Sequence, residues 1–325
     1  MSGKIPKIIS VGAAVQDVFM SQSDEFKPVT DKSLHEQVMQ LEMGGKADVN
    51  KIDFSTGGGA TNASVTFARA GLHAIFMGTI AHDPAGQAVI DDLDVENVDT
   101  SHVSYSEKFH TGYSMLLLAP NGERSILTYR GASTHYDIHN FDLSGIDADW
   151  LYVSSIAGQM SVLSKLFHQA KEKGMNVFFN PGKGELAHKE ALKGLLHDVD
   201  VLSVNKEEMQ QIVHGETSAE LVRHGLALVD TLIVSDGPRG VTASDGRTIV
   251  EAGMYKDVKV VDRTGAGDAF GSGFLSQWST GASLADSIIY GSANSTSVVT
   301  HIGAKKGILH QGAQLHSMPL QETSI

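Results

Sequence analysis

The chain has 325 residues, 41% of them hydrophobic, with 34 glycines and a formal charge of −13. These figures allow a large core, as one α/β domain or two smaller ones, and they argue against a nucleic-acid partner, because no Lys/Arg cluster offsets the charge. The absence of cysteine excludes disulfides and thiolate metal sites, and no apolar run suits a signal sequence or a membrane span, so a soluble cytoplasmic location is expected.

In chain order, Ile8-Ile9-Ser10-Val11-Gly12 reads as a buried first strand, with the acid Asp17 soon after it. Residues 21–56 are polar and lack helical periodicity. Gly57-Gly58-Gly59-Ala60-Thr61-Asn62 then precedes a helix-like run from Ala63 to Ala70. Glycines let a ligand approach the backbone, and Asn62 offers both donors and an acceptor to hydroxyls. Tyr113 to Ala119 and Ser125 to Tyr129 flank Asn121-Gly122, a hairpin signal. Residues 13–56 and 107–133 together predict a small β-rich lid, which would exclude water from a reactive site.

From Trp150 the pattern alternates. Strands are predicted at Trp150–Val153, Asn176–Phe179, Asp200–Val204 and Thr231–Val234, with helices at Val162–Lys173, Lys189–Leu196 and a pair between Lys206 and Val229. Short apolar strands separated by helices imply a parallel sheet covered on both faces, with ligands beyond the carboxyl ends of its strands.

A β-rich run, Lys259 to Asp262, leads into Thr264-Gly265-Ala266-Gly267-Asp268-Ala269-Phe270 and a helix-compatible segment to Trp278. The turn starts like a dinucleotide fingerprint, but Phe270 stands where the third glycine belongs, and no stretch fits a P-loop. A glycine turn at a helix N-terminus gathers backbone N–H groups around an anion. An acid inside it suits a base that takes a proton from a second substrate while the amides hold phosphoryl charge. A plain helix cap with a first-turn acid is the alternative for this segment alone.

Gly57–Asn62 and Thr264–Phe274 together resemble the two signatures of the PfkB, or ribokinase-like, family of sugar and nucleoside kinases. Val11–Asp17, Gly78–Gly86, Asn205-Lys206-Glu207-Glu208 (an N-x-x-E motif), Ser235–Gly240 and Val298–Ala304 extend the resemblance through most of the chain. It implies a single ribokinase-like α/β domain, with a central, mostly parallel sheet between helices and the small lid. It also implies ATP as phosphoryl donor, with Asp268 as general base and the turn Gly265, Ala266, Gly267 as anion hole. Asp17, Gly57, Gly58 and Asn62 would hold the acceptor. Asn205, Ser235, Gly237, Gly240, Asn294 and Gly303 would surround the nucleotide. Asn205 and Glu208 would place Mg2+ mainly through water, although Asn-x-x-Glu is also the spacing of a capping box. Backbone carbonyls of Asp262 and Thr264 are candidate K+ ligands.

The resemblance leaves the acceptor open among a sugar, a sugar acid and a nucleoside. Ribokinases commonly carry lysine where this chain has Gly59, and a glutamate in the region that here reads Ser155 to Gly158. Arg130, within Tyr129–Ser133, is similar to a flap arginine of relatives that phosphorylate sugar acids, where it pairs with a carboxylate. A homodimer through the lid edges is implied as well. Outside the enzyme class stands a catalytically idle, ligand-sensing homologue.

Overall fold

The computed structural model describes all residues except 1–3, 32–35, 122, 256–257 and 325. Gly122 of the expected hairpin turn and residues 32–35 of the expected lid therefore lie outside the described residues.

Among the described residues, one nine-stranded sheet runs in the order Leu320–Ser324, Thr248–Ala252, Val241–Ser244, Thr231–Ser235, Val201–Asn205, Asn176–Phe179, Trp150–Val153, Lys7–Val11, His73–Met77. From Thr231–Ser235 to His73–Met77 every pairing is parallel; the three strands at the other end are added antiparallel. Alternate residues of one strand feed two different cores: Leu151 and Val153 pack on one face, Trp150 and Tyr152 on the other. Burial of both faces is why these strands read as unbroken apolar runs.

Helices Met160–Glu172, Lys189–Leu195, Lys206–Ile212 and Ser218–Gly225 cover the first face; Gly59–Arg69, Pro84–Val95, Ala266–Trp278 and Leu284–Val298 cover the second. Met160–Glu172 shows the logic. Val162, Leu163, Leu166, Phe167 and Ala170 form its buried stripe, and Gly174, at φ 69°, ends it. Each large side chain buried this way contributes about 1.5–3 kcal/mol. No helix among the described residues is long and apolar enough to cross a membrane.

A second sheet orders Arg124–Tyr129, Gly112–Leu118, Val15–Ser21 and Lys51–Gly57. It is tied to the body at short range, because Val15 follows closely on Val11, and Gly57 leads into helix Gly59–Arg69. A hairpin, Pro28–Asp31 with Glu36–Met39, lies between its strands in sequence.

The β-rich run Lys259–Asp262 is not a strand. Val260 and Val261 are 46% and 42% exposed, and the Val261 and Asp262 amides donate to the Val299 carbonyl at 2.8 and 3.2 Å. The sheet position it would take is filled by Val241–Ser244 and Thr248–Ala252, so the segment crosses a helix end instead.

Candidate active site

The glycine turn opens helix Ala266–Trp278, with Gly265 as its N-cap at φ 75°. A side chain there would be strained, and its Cβ would run into Ala304. The Gly267 and Asp268 amides donate to no described group, and Ala266 makes only a long bond, 3.4 Å, to the Arg263 carbonyl. These are the orphan donors of a helix start, aimed at one point. Asp262 braces the turn: its Oδ1 accepts from the Thr264 amide at 3.0 Å and the Thr264 hydroxyl at 2.7 Å, and its Oδ2 accepts from the Gly303 amide at 3.1 Å. Gly303 is thus a fastening for this loop and lines neither cavity described below. Among the described residues, the carbonyls of Asp262 and Thr264 accept no hydrogen bond.

Helix Gly59–Arg69 brings its own N-terminus to the same place. Asn62 Nδ2 donates to Asp268 Oδ2 at 2.9 Å, and Asn62 Oδ1 is buried without a partner among the described residues. Deeper in, Ser272 Oγ donates to Thr66 Oγ1 at 2.9 Å and stitches the helices together. Asp268 keeps an open side toward solvent, yet protein encloses its carboxyl group; that burial pushes its pKa up, and the Asn62 bond offsets part of the rise. Gly58, at φ 102°, lies so close to the Ala13 carbonyl that a Cβ would collide with it. Asp17 is buried against Gly57, and burial raises its pKa, opposed by a hydrogen bond from Ser114 and by the charge of Lys305. Asp17, Gly57, Gly58, Asn62 and Asp268 therefore surround the junction of the small sheet and the two helix starts. Arg130 does not join them: it is exposed and forms no ion pair among the described residues.

On the other side of the turn lies a cavity of about 490 Å³. Asn205, Glu208, Ser235, Gly237 and Gly240 line it together with Ala266 and Gly267, while Val241, Val260, Phe270 and Val299 give it an apolar wall. Asn205 and Glu208 cap each other's backbone: Asn205 Oδ1 accepts from the Glu208 amide and Glu208 Oε2 from the Asn205 amide, both at 2.8 Å. Their capping role and their place on the cavity wall coexist. Burial raises the Glu208 pKa. Asn294, expected beside the nucleotide, is fully buried instead; its Nδ2 donates to the Ala269 carbonyl and its Oδ1 accepts from the Leu309 amide, both at 2.8 Å. It braces helix Ala266–Trp278 from behind.

Two residues here were not singled out by the sequence. Ser154, at the end of strand Trp150–Val153, sits where a Cβ on Gly59 would lie 2.9 Å from its Oγ and 3.2 Å from Asp268 Oδ1. The signal was a small polar residue directly after an apolar parallel strand. Glu185 is wholly buried and accepts from the amides of Ile156, Gly158 and Gly182 and from Ser155 Oγ, at 2.8–2.9 Å. Hydropathy alone places such a carboxylate at the surface.

Residues 8–311 match the profile of the pfkB family carbohydrate kinases. Ribokinase of Haemophilus influenzae is 26% identical over 262 residues, 78% of this chain and 83% of that protein. The crystal structure of a nucleoside kinase from Methanocaldococcus jannaschii superimposes with a TM-score of 0.74 at 22% identity, covering 95% and 96% of the two chains. The structure of Arabidopsis thaliana ribokinase complexed with ribose and ATP superimposes with a TM-score of 0.75 at 20% identity, covering 94% and 96%.

Proposed function

The chain belongs to the PfkB family of carbohydrate kinases, and from that premise we propose that it transfers the γ-phosphoryl group of ATP to a hydroxyl of a small sugar or sugar derivative. The observation that carries this reading is the single carboxylate between two compartments. Asp268 meets Asn62 on one side, and its own turn borders the cavity of Asn205, Ser235 and Gly240 on the other.

In the proposed reaction the acceptor hydroxyl loses its proton to Asp268 while its oxygen forms the new bond to the γ-phosphorus. The bond from phosphorus to the bridging oxygen breaks, and ADP keeps that electron pair. The Ala266, Gly267 and Asp268 amides receive the charge that grows on the phosphoryl oxygens. Asn62 holds one carboxylate oxygen, which leaves the other free to face the acceptor. Asp17 and the glycine backbone at Gly57 and Gly58 would grip the remaining hydroxyls, the small sheet acting as a lid.

The residues present fit a Mg2+ ion held through water: Glu208 spends one carboxylate oxygen on its cap and keeps the other. Bound there, the ion would supply positive charge to the phosphates, which the acidic chain otherwise lacks. The unengaged carbonyls of Asp262 and Thr264 suit K+ in the same sense. Ion titrations test both assignments: Glu208→Gln is expected to raise the Mg2+ concentration for half-maximal rate, and K+ to accelerate turnover over tetramethylammonium. An unchanged Mg2+ curve, or equal rates in the two monovalent cations, removes the corresponding site.

A screen of sugars, sugar acids and nucleosides, following ADP release, tests the function itself. Acceptor-dependent ADP supports it; none across a broad panel favours a ligand-sensing homologue. The exposed Arg130 gives the sugar-acid reading no support from side-chain position.

The small sheet also supports self-association. Its cross-strand register places Phe54, Val18, Met115 and Leu127 in one row; Phe54 and Leu127, on the two outer strands, are 63% and 59% exposed, while Val18 between them is buried. Apolar rows of this kind mark interaction surfaces. Light scattering is expected to give a dimer that Phe54→Asp with Leu127→Asp makes monomeric; a monomeric parent chain disposes of the idea.

A further inference from the structure

A second cavity, of about 580 Å³, follows the unpaired edge of strand Lys51–Gly57. Its opposite wall is built from Arg69, Asp92, the segment Thr300–Ile302 and the pair Lys305–Lys306. It shares no lining residue with the nucleotide cavity, and neither Asp17, Asn62 nor Asp268 borders it. Four cationic side chains line it, Lys51, Arg69, Lys305 and Lys306, in a chain whose formal charge is −13; Lys51 pairs with Asp53 at 2.9 Å, Arg69 with Glu96 and Lys305 with Asp92, and Lys306 has no ion pair among the described residues.

Lys305 is the unusual member. It is only 5% exposed, and its Nζ donates to Thr56 Oγ1 at 2.6 Å and Asp92 Oδ2 at 2.8 Å. An ammonium carries three N–H donors; the third has no acceptor among the described residues. Thr56 Oγ1 donates to the same Asp92 oxygen at 2.5 Å, so that carboxylate is shared. Burying an ammonium costs several kcal/mol unless charge and hydrogen bonds compensate it fully. Burial accordingly pushes the Lys305 pKa down. Lys306 beside it is exposed and forms no ion pair among the described residues. Phe54 and Ile302 add apolar surface to the same cleft.

We propose that this cleft is a second ligand site, for a small organic phosphate, with the phosphate held by Lys305, Lys306 and Lys51 and the organic body against Phe54 and Ile302. A dianionic phosphate has enough acceptor oxygens for several ammonium donors at once, and the cleft is far larger than a lone oxyanion needs. The occupant would join the small sheet to the loop whose Gly303 and Ala304 support the glycine turn. Binding there would therefore bias the lid without entering the catalytic compartment.

The test is calorimetric titration of the full chain, saturated with Mg2+ and a non-hydrolysable ATP analogue, using ribose 5-phosphate, glycerol 3-phosphate and AMP. At least one is expected to bind saturably, one per chain, and to bind about tenfold more weakly after Lys306→Glu or Lys51→Glu, the scale of one lost charge-assisted bond. Both variants should keep the parent's urea midpoint and its turnover in phosphate-free buffer. Asp268→Asn should retain the binding even though turnover is lost, which separates this site from the fate of the catalytic proposal. The site is refuted by an absence of saturable binding to all three, by undiminished affinity in both charge reversals, or by inorganic phosphate or gluconate binding as tightly as the esters.

Discussion

Asp268→Asn is expected to lower kcat by about two to four orders of magnitude, the usual loss when a general base is removed, with ATP affinity nearly unchanged. The amide replaces the carboxylate at similar volume and can still meet Asn62, so the helix start and its free amides persist. What disappears is the acceptor for the proton. Turnover of the purified variant within tenfold of the parent would overturn the role of Asp268. The raised pKa of this carboxyl adds a second readout. Only the ionised form can accept a proton, so the acidic limb of the kcat/KM profile should lie above the ordinary carboxylate range, with activity falling as pH drops through it. The linkage has the opposite sign for stability. A carboxyl whose folded pKa exceeds its unfolded value favours the folded state most when protonated, and that contribution is lost as pH rises through the folded pKa. At neutral pH the asparagine variant should therefore be at least as stable as the parent, while catalytically impaired.

The second large effect concerns stability. Glu185→Ala is expected to cost about 3–5 kcal/mol, the range for stripping the partner from a buried charged network. Three backbone amides and the Ser155 hydroxyl would lose their acceptor together. They belong to the loops that follow strands Trp150–Val153 and Asn176–Phe179, at the carboxyl ends of those strands. Urea denaturation measures the cost. A loss below about 1 kcal/mol, the worth of a single ordinary hydrogen bond, would show that water replaces the carboxylate. Glu185→Gln keeps one acceptor oxygen and should fall between the two.

The parallel strands were legible because burial on both faces makes each a continuous apolar run bounded by turns. The glycine turn was legible because Gly265 and Asp268 sit at positions that helix-start geometry makes chemically special. The antiparallel end of the sheet was not. Thr248–Ala252 and Leu320–Ser324 are short and partly exposed, and their pairing joins segments far apart in sequence. Lys259–Asp262 failed for the converse reason: β-branched residues fit a strand, yet only the rest of the sheet decides whether a strand position remains. Asn294, Glu185 and Lys305 show a third limit. A polar residue's type states what it can bond, whereas its partners, Ala269 for Asn294, Ile156 for Glu185 or Asp92 for Lys305, come from distant parts of the chain.

Because Leu320–Ser324 lies beside Thr248–Ala252, the chain between them forms a closed loop that contains both helices behind the glycine turn. The clasp of that loop is an outer strand with exposed side chains, among the first elements to open in native-state fluctuations. Each opening would release the far end of the loop while helix Ala266–Trp278 stays packed on Gly59–Arg69. The slowest-exchanging amides should then lie in the parallel strands, and the segment from Ala252 to Leu320 would be loosened first at its far, C-terminal end.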